Sequence, residues 1–70
     1  MNMIPVESSN LNSVGYDPDR AVLVIEFHHG GVYEYYDVPE SEYTGLLEAE
    51  SKGKYFHAHI KDVYDYEKIG

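Results

Sequence analysis

Cysteine and tryptophan are both absent from this 70-residue chain. Without cysteine, no disulfide can staple the fold and no thiolate can hold a metal. Bases are scarce: five Lys and Arg stand against thirteen Asp and Glu, a formal net charge of −8. So acidic a chain is repelled by polyanions at long range. Long apolar runs are missing too. The longest, Ala21 to Ile25, falls far short of the ~20 residues that a membrane-spanning helix needs. Met1 to Pro5 carries neither the basic region nor the apolar stretch of a secretory signal. These absences predict a cytoplasmic protein with no membrane partner.

What the chain does have is tyrosine: eight Tyr join two Phe. Each buried aromatic side chain removes roughly 150–250 Å² from water, so a few can carry a small core. Seventy residues make a single domain. Such a domain has little room for a pocket of roughly 300 Å³ or more. The charge is unevenly placed. Residues 1–51 carry −9, whereas residues 52–70, with Lys52, Lys54, Lys61 and Lys68, carry +1. A polyanion would have to meet the lysine-bearing end.

Local pattern supplies the elements. Residues 1–5 read as a loose N-terminus and residues 6–70 as one domain. Asn12 to Asp17 reads as a strand, and Asp17-Pro18-Asp19-Arg20 as a turn, since Pro presets φ and Asp bonds its own backbone. Ala21 to His28 is β-branched and aromatic and reads as a second strand, with Val32 to Val38 as a third. A three-residue loop at His29 to Gly31 sets Phe27 opposite Tyr33 and Ile25 opposite Tyr35. That gathers Leu23, Ile25, Phe27, Tyr33 and Tyr35 on one face. Pro39 suits the first turn of a helix bearing the stripe Tyr43-Leu46-Leu47, with Gly53 as its stop. Gly45 weakens that helix and lets it approach the sheet. Lys54 to Lys61 reads as a second helix, with Phe56 and Ile60 one turn apart. Tyr64-Asp65-Tyr66 alternates as an extra C-terminal edge strand or docked tail. The order predicts an α+β domain: a three-stranded antiparallel meander packed against two short helices.

Five motifs then fall in a familiar order: Ser8-Ser9-Asn10-Leu11, Val14-Gly15-Tyr16-Asp17, Tyr33-Glu34-Tyr35, Val38-Pro39 and Ser51-Lys52-Gly53-Lys54-Tyr55-Phe56. In order and spacing they resemble the KTSC domain, over about residues 6–69. That family takes its name from the C-terminal end of some lysyl-tRNA synthetases. The resemblance implies a binding module with RNA, tRNA in particular, as one partner class. The family pattern has Asn after the Tyr-Phe pair, where this chain has His57. An imidazole reproduces an amide's hydrogen bonds only in part.

The candidate binding residues are Lys52, Gly53, Lys54 and Tyr55, with Tyr33 and Tyr35. Alternate tyrosines on a sheet can stack bases, but opposite Ile25 and Phe27 the register places them on the apolar face, which favours a core role. Two lysines around Gly53 at a helix start can meet an anion, or can simply be solvated at a helix joint. The histidine pairs His28-His29 and His57-Ala58-His59 diverge and do not chelate alone, so no metal is expected. Ser8 and Ser9 lie outside any nucleophile motif, and no catalytic residue is expected. The reading is a non-enzymatic binding module without cofactor, directed at RNA through the Lys52 to Phe56 region. The competing reading is a protein–protein or homo-oligomeric module that uses exposed tyrosines.

Overall fold

Alternation of side chains organises the sheet. A computed structural model describes residues 2–70. It contains five strands, β1 (Ile4–Pro5), β2 (Leu11–Asp17), β3 (Val22–Phe27), β4 (Gly31–Tyr35) and β5 (Tyr66–Lys68), and two helices, α1 (Glu40–Glu48) and α2 (Lys52–His59). The sheet is an antiparallel meander in the order β1-β2-β3-β4-β5. The α+β class and the two helices are as expected, but the expected three strands plus one edge strand undercount the sheet. Ile4 and Pro5, expected to be loose, pair with Val14 and Ser13. Both residues are exposed, so β1 is held by backbone pairing and leaves no apolar alternation to read.

The faces of the β3–β4 hairpin are as expected, and its register is not. Leu23 pairs with Tyr35, Ile25 with Tyr33 and Phe27 with Gly31. The loop is His28-His29-Gly30, three residues as expected but begun one residue earlier, which shifts the pairing by two. A slip of two keeps every side chain on its face, so the hydrophobic pattern is blind to it. Gly31 begins β4 at φ +85, and a β-carbon there would run into the Gly70 carbonyl. At the other turn Asp17 Oδ1 accepts from the amides of Asp19 (3.1 Å) and Arg20 (3.4 Å), as the sequence predicts.

A β-bulge between Leu11 and Ser13 re-phases β2. One extra residue there brings Leu11 and Val14, three apart, onto the same face. Both are fully buried, with Leu23, Ile25, Val38, Leu46 and Ile60. Phe56 and Tyr35 complete this core, while Phe27 and Leu47, also expected to be buried, pack at its margin half-exposed. β4 stops at Tyr35 because Asp37 turns left-handed, at φ +57. Val38 then drops into the core, and its carbonyl accepts the Tyr16 hydroxyl at 2.5 Å.

Two corrections concern the helices. Pro39 caps α1 from outside, in an extended conformation, with Glu40 and Glu42 in the first turn. Gly53 does not end α1 but lies inside α2, which starts two residues earlier than expected. Ser51 is its N-cap and accepts from the Lys54 amide at 3.3 Å. The joint therefore falls at residues 49–51, ahead of the glycine, because a serine side chain can start a helix before the glycine read as stopping one.

Candidate functional site

The structure divides the six candidate residues between two places. Lys52, Lys54 and Tyr55 sit at the start of α2, beside α1. Lys52 Nζ donates to the Ala49 carbonyl at 3.1 Å, which satisfies the end of α1. Lys54 is exposed. The Tyr55 ring stacks on His59, with centroids 4.3 Å apart, and its hydroxyl donates to Glu42 Oε1 at 2.7 Å. Tyr64 donates to the other oxygen of that carboxylate at 3.2 Å. Gly53 faces the side chains of Asn10 and Ser8. Of this group only the Lys54 ammonium is uncommitted, and a carboxylate stands within the cluster.

Tyr33 and Tyr35 belong elsewhere. β4 alternation places both rings on the helix-facing side of the sheet, and the β4–β5 pairing sets Tyr66 directly across from Tyr35. Tyr66 lies 5.8 Å from Tyr33 and 5.6 Å from Tyr35 between ring centroids. Phe27 meets Tyr33 edge to face, and Phe56 meets Phe27 and Tyr35 in the same way. These five rings line an open groove of about 470 Å³. Its polar rim comes from three other segments: Asn10 before β2, His29 in the hairpin loop, and His57, Lys61 and Asp62 at the exit of α2. So small a domain was expected to lack such a space. It has one because the groove lies open between the end of α2 and the β4–β5 edge instead of inside the core.

The aromatic floor grades from buried to exposed. Tyr35 and Phe56 are buried, Tyr33 and Phe27 are half-buried, and Tyr66 is 57% exposed. Burial, then the neighbouring hydroxyls of Tyr33 and Tyr66 and the charge of Asp62, push the Tyr35 hydroxyl up to about 12. That hydroxyl stays neutral and available as a donor. The Asp62 carboxylate makes no hydrogen bond or ion pair among the described residues. Sequence reasoning found Tyr33 and Tyr35 but missed Tyr66, Lys61 and Asp62 as groove residues. Their only signal was proximity to the Tyr64-Asp65-Tyr66 alternation. Among the described residues no three His, Asp or Glu side chains gather to hold a metal, and no helix is long and apolar enough to cross a membrane.

Comparison with known proteins places this architecture. The KTSC domain model matches residues 7–64. A crystal structure of a KTSC domain protein from Yersinia pestis superposes with a TM-score of 0.97 at 42% identity, covering 99% of this chain and 97% of that one. An uncharacterised protein of Stutzerimonas stutzeri is 41% identical over 61 residues, 87% of this chain and 86% of the relative. A lysine–tRNA ligase of Nostoc is 37% identical over 67 residues, which is 96% of this chain but only 12% of that enzyme. The chain belongs to the KTSC domain family.

Proposed function

We propose that this domain is a non-catalytic binding module that takes an unpaired base of a structured RNA, such as tRNA, into the aromatic groove. The observation that carries the reading is the convergence of five aromatic rings on one open groove with Lys61 at its rim. Stacking a base on an aromatic side chain contributes about 1–3 kcal/mol and tolerates any base, since every base has a π face. The groove's size suits one nucleoside. With a net charge of −8, affinity has to come from such short-range contacts and not from a phosphate track. The ligases that share this domain are named for a tRNA substrate, which supports the choice of RNA by association only. Lys52, Lys54 and Tyr55 fit the role less well, because Lys52 and Tyr55 are engaged within the protein and only Lys54 is left.

Fluorescence anisotropy with bulk tRNA at low salt tests the reading. Wild type binds and Tyr66→Ala binds more weakly while keeping its circular dichroism spectrum. No binding by wild type even at about 50 mM salt, where polyanion contacts are strong, would remove RNA from consideration.

One observation favours a protein partner instead. Tyr66, which lines the groove, is 57% exposed, and Val63, next to Asp62 in sequence, is 61% exposed; exposed tyrosine suits an interface. Light scattering after size exclusion separates the two: a concentration-dependent dimer lost on Tyr66→Ala supports self-association.

A further inference from the structure

One residue at the groove is unusual in both backbone and charge. Asp62 lies at φ +63, in the left-handed region, just past the end of α2. That conformation is costly for most residues and is tolerated by Asp and Asn. It holds the side chain at the rim, beside Tyr35 and Tyr66. Asp62 is exposed and lines the groove together with Tyr35 and Tyr66. It makes no hydrogen bond to the protein among the described residues. An acceptor-only residue with no protein partner therefore belongs to the lining of an aromatic groove.

The four RNA bases differ in what they offer such a group. Guanine presents two adjacent N–H donors on its Watson–Crick edge, one from the ring and one from the exocyclic amine. A carboxylate can accept both at once. Adenine and cytosine each present one amine donor, but the ring nitrogen beside it is unprotonated and accepts. Uracil presents one N–H flanked by two carbonyls. A carboxylate has no proton to donate, so it meets acceptors on these three bases with repulsion. A site built around one set of hydrogen bonds rejects analogues that lack them, because its own polar group is then left unpaired.

We propose that Asp62 makes the groove selective for guanine, accepting the two Watson–Crick edge donors of a base stacked on Tyr66. This inference rests on the reading of the groove as a site for an unpaired RNA base. Lys61, adjacent in sequence, is placed to meet that nucleotide's phosphate. The discrimination expected of one good bidentate pair is about tenfold or more.

The test uses the full chain and short labelled RNA oligonucleotides that are uracil throughout except for one central guanine, adenine, cytosine or inosine. The expected result is that the guanine oligonucleotide binds about tenfold more tightly than the all-uracil, adenine and cytosine ones. Inosine, which lacks the exocyclic amine, falls between. Asp62→Asn is the variant of choice, because asparagine also tolerates the left-handed backbone. It is expected to bring the guanine-to-uracil ratio close to one. The ratio is the readout because removing a negative charge can strengthen binding of every oligonucleotide alike. Equal binding of all four bases by wild type overturns guanine selectivity and leaves the groove reading standing. A guanine preference that survives Asp62→Asn assigns the selectivity to another residue. Absence of binding to any oligonucleotide overturns both.

Discussion

The hydroxyl of Tyr55 occupies the space where a β-carbon at residue 45 would stand: Gly45 in α1 is what admits the ring of α2 to Glu42. The sequence suggested that Gly45 let its helix approach the sheet. Its actual neighbour is the other helix.

Gly45→Ala sets two effects against each other. Alanine gains about 1 kcal/mol of helix propensity. It also displaces the Tyr55 hydroxyl, and a hydrogen bond to a charged group contributes about 1.5–3 kcal/mol before discounting for partial exposure. Net destabilisation of about 1 kcal/mol is expected. In a Tyr55→Phe background the clash with the hydroxyl disappears while the ring carbon at 2.8 Å remains, and the same change should cost less. Urea midpoints of the four proteins measure the coupling. Additive effects would mean that Tyr55 does not depend on Gly45.

Alkali should destabilise the domain through the same tyrosine. The bond to Glu42, then burial, pushes the Tyr55 hydroxyl up to about 12, and burial first of all does the same for Tyr35. In the unfolded chain both ionise near 10. A raised folded pKa gives stability that is complete below the unfolded pKa and is lost as pH climbs through the folded one. The loss should therefore run from about pH 10 to about pH 12. Tyr55→Phe removes one of these groups, so its stability should fall less steeply in that window. Chemical denaturation at a series of alkaline pH values checks this, and an unchanged slope in the variant would refute it.

Core truncations should rank by burial. Phe56→Ala empties a buried ring site, at a cost of about 3–5 kcal/mol. That matches the ~3–5 kcal/mol a core of this size supplies, so the variant should be largely unfolded. Phe27 is half-buried at the groove, and Phe27→Ala should cost about half as much and remain folded in the cold. Circular dichroism melts decide the order. A Phe27→Ala melt at or below that of Phe56→Ala would contradict the packing described.

How much of this could be read from the chain follows from the range of each signal. The face of every core strand residue in the hairpin was legible, because alternation has period two. Its register was not, because a two-residue slip changes no face. The β2 bulge was invisible for a related reason: Leu11 and Val14 sit three apart, which breaks alternation. In the site, Lys52, Lys54 and Tyr55 drew attention by local spacing, but spacing does not show that Ala49 and Glu42 occupy two of them. Tyr66, Lys61 and Asp62 share the groove with Tyr33 only through tertiary packing of α2 and β5, and no local pattern announces it.

Zinc should leave the melting curve in place. His29, His57 and Asp62 line the groove, but among the described residues no three such side chains gather closely enough to hold a metal. Scanning calorimetry with stoichiometric zinc and then with chelator checks this. A rise of several degrees on zinc would show a site assembled in solution.

Lysine reversals distinguish the two candidate surfaces. Lys61→Glu should weaken RNA binding, while the double change Lys52→Glu and Lys54→Glu should leave it nearly intact. One phosphate contact on a single strand gives a salt slope of only about −0.7, and screening of the protein's own negative charge acts in the opposite direction. Binding should therefore depend little on salt. A steep slope, or loss of binding in the double variant alone, would move the interface to the start of α2.

Tyr66 belongs to a strand that hydrogen-bonds within the sheet to β4 only. A three-residue strand with one neighbour opens at lower free energy than the centre of the sheet. The width of the groove is thus not a fixed dimension but a population, set by how often β5 lifts from β4. Anything that binds only the closed groove must slow amide exchange in Tyr66 to Lys68, and by linkage the slowing grows with ligand concentration as binding saturates. Exchange protection of this one strand would report occupancy for any ligand, including one whose identity is not known in advance.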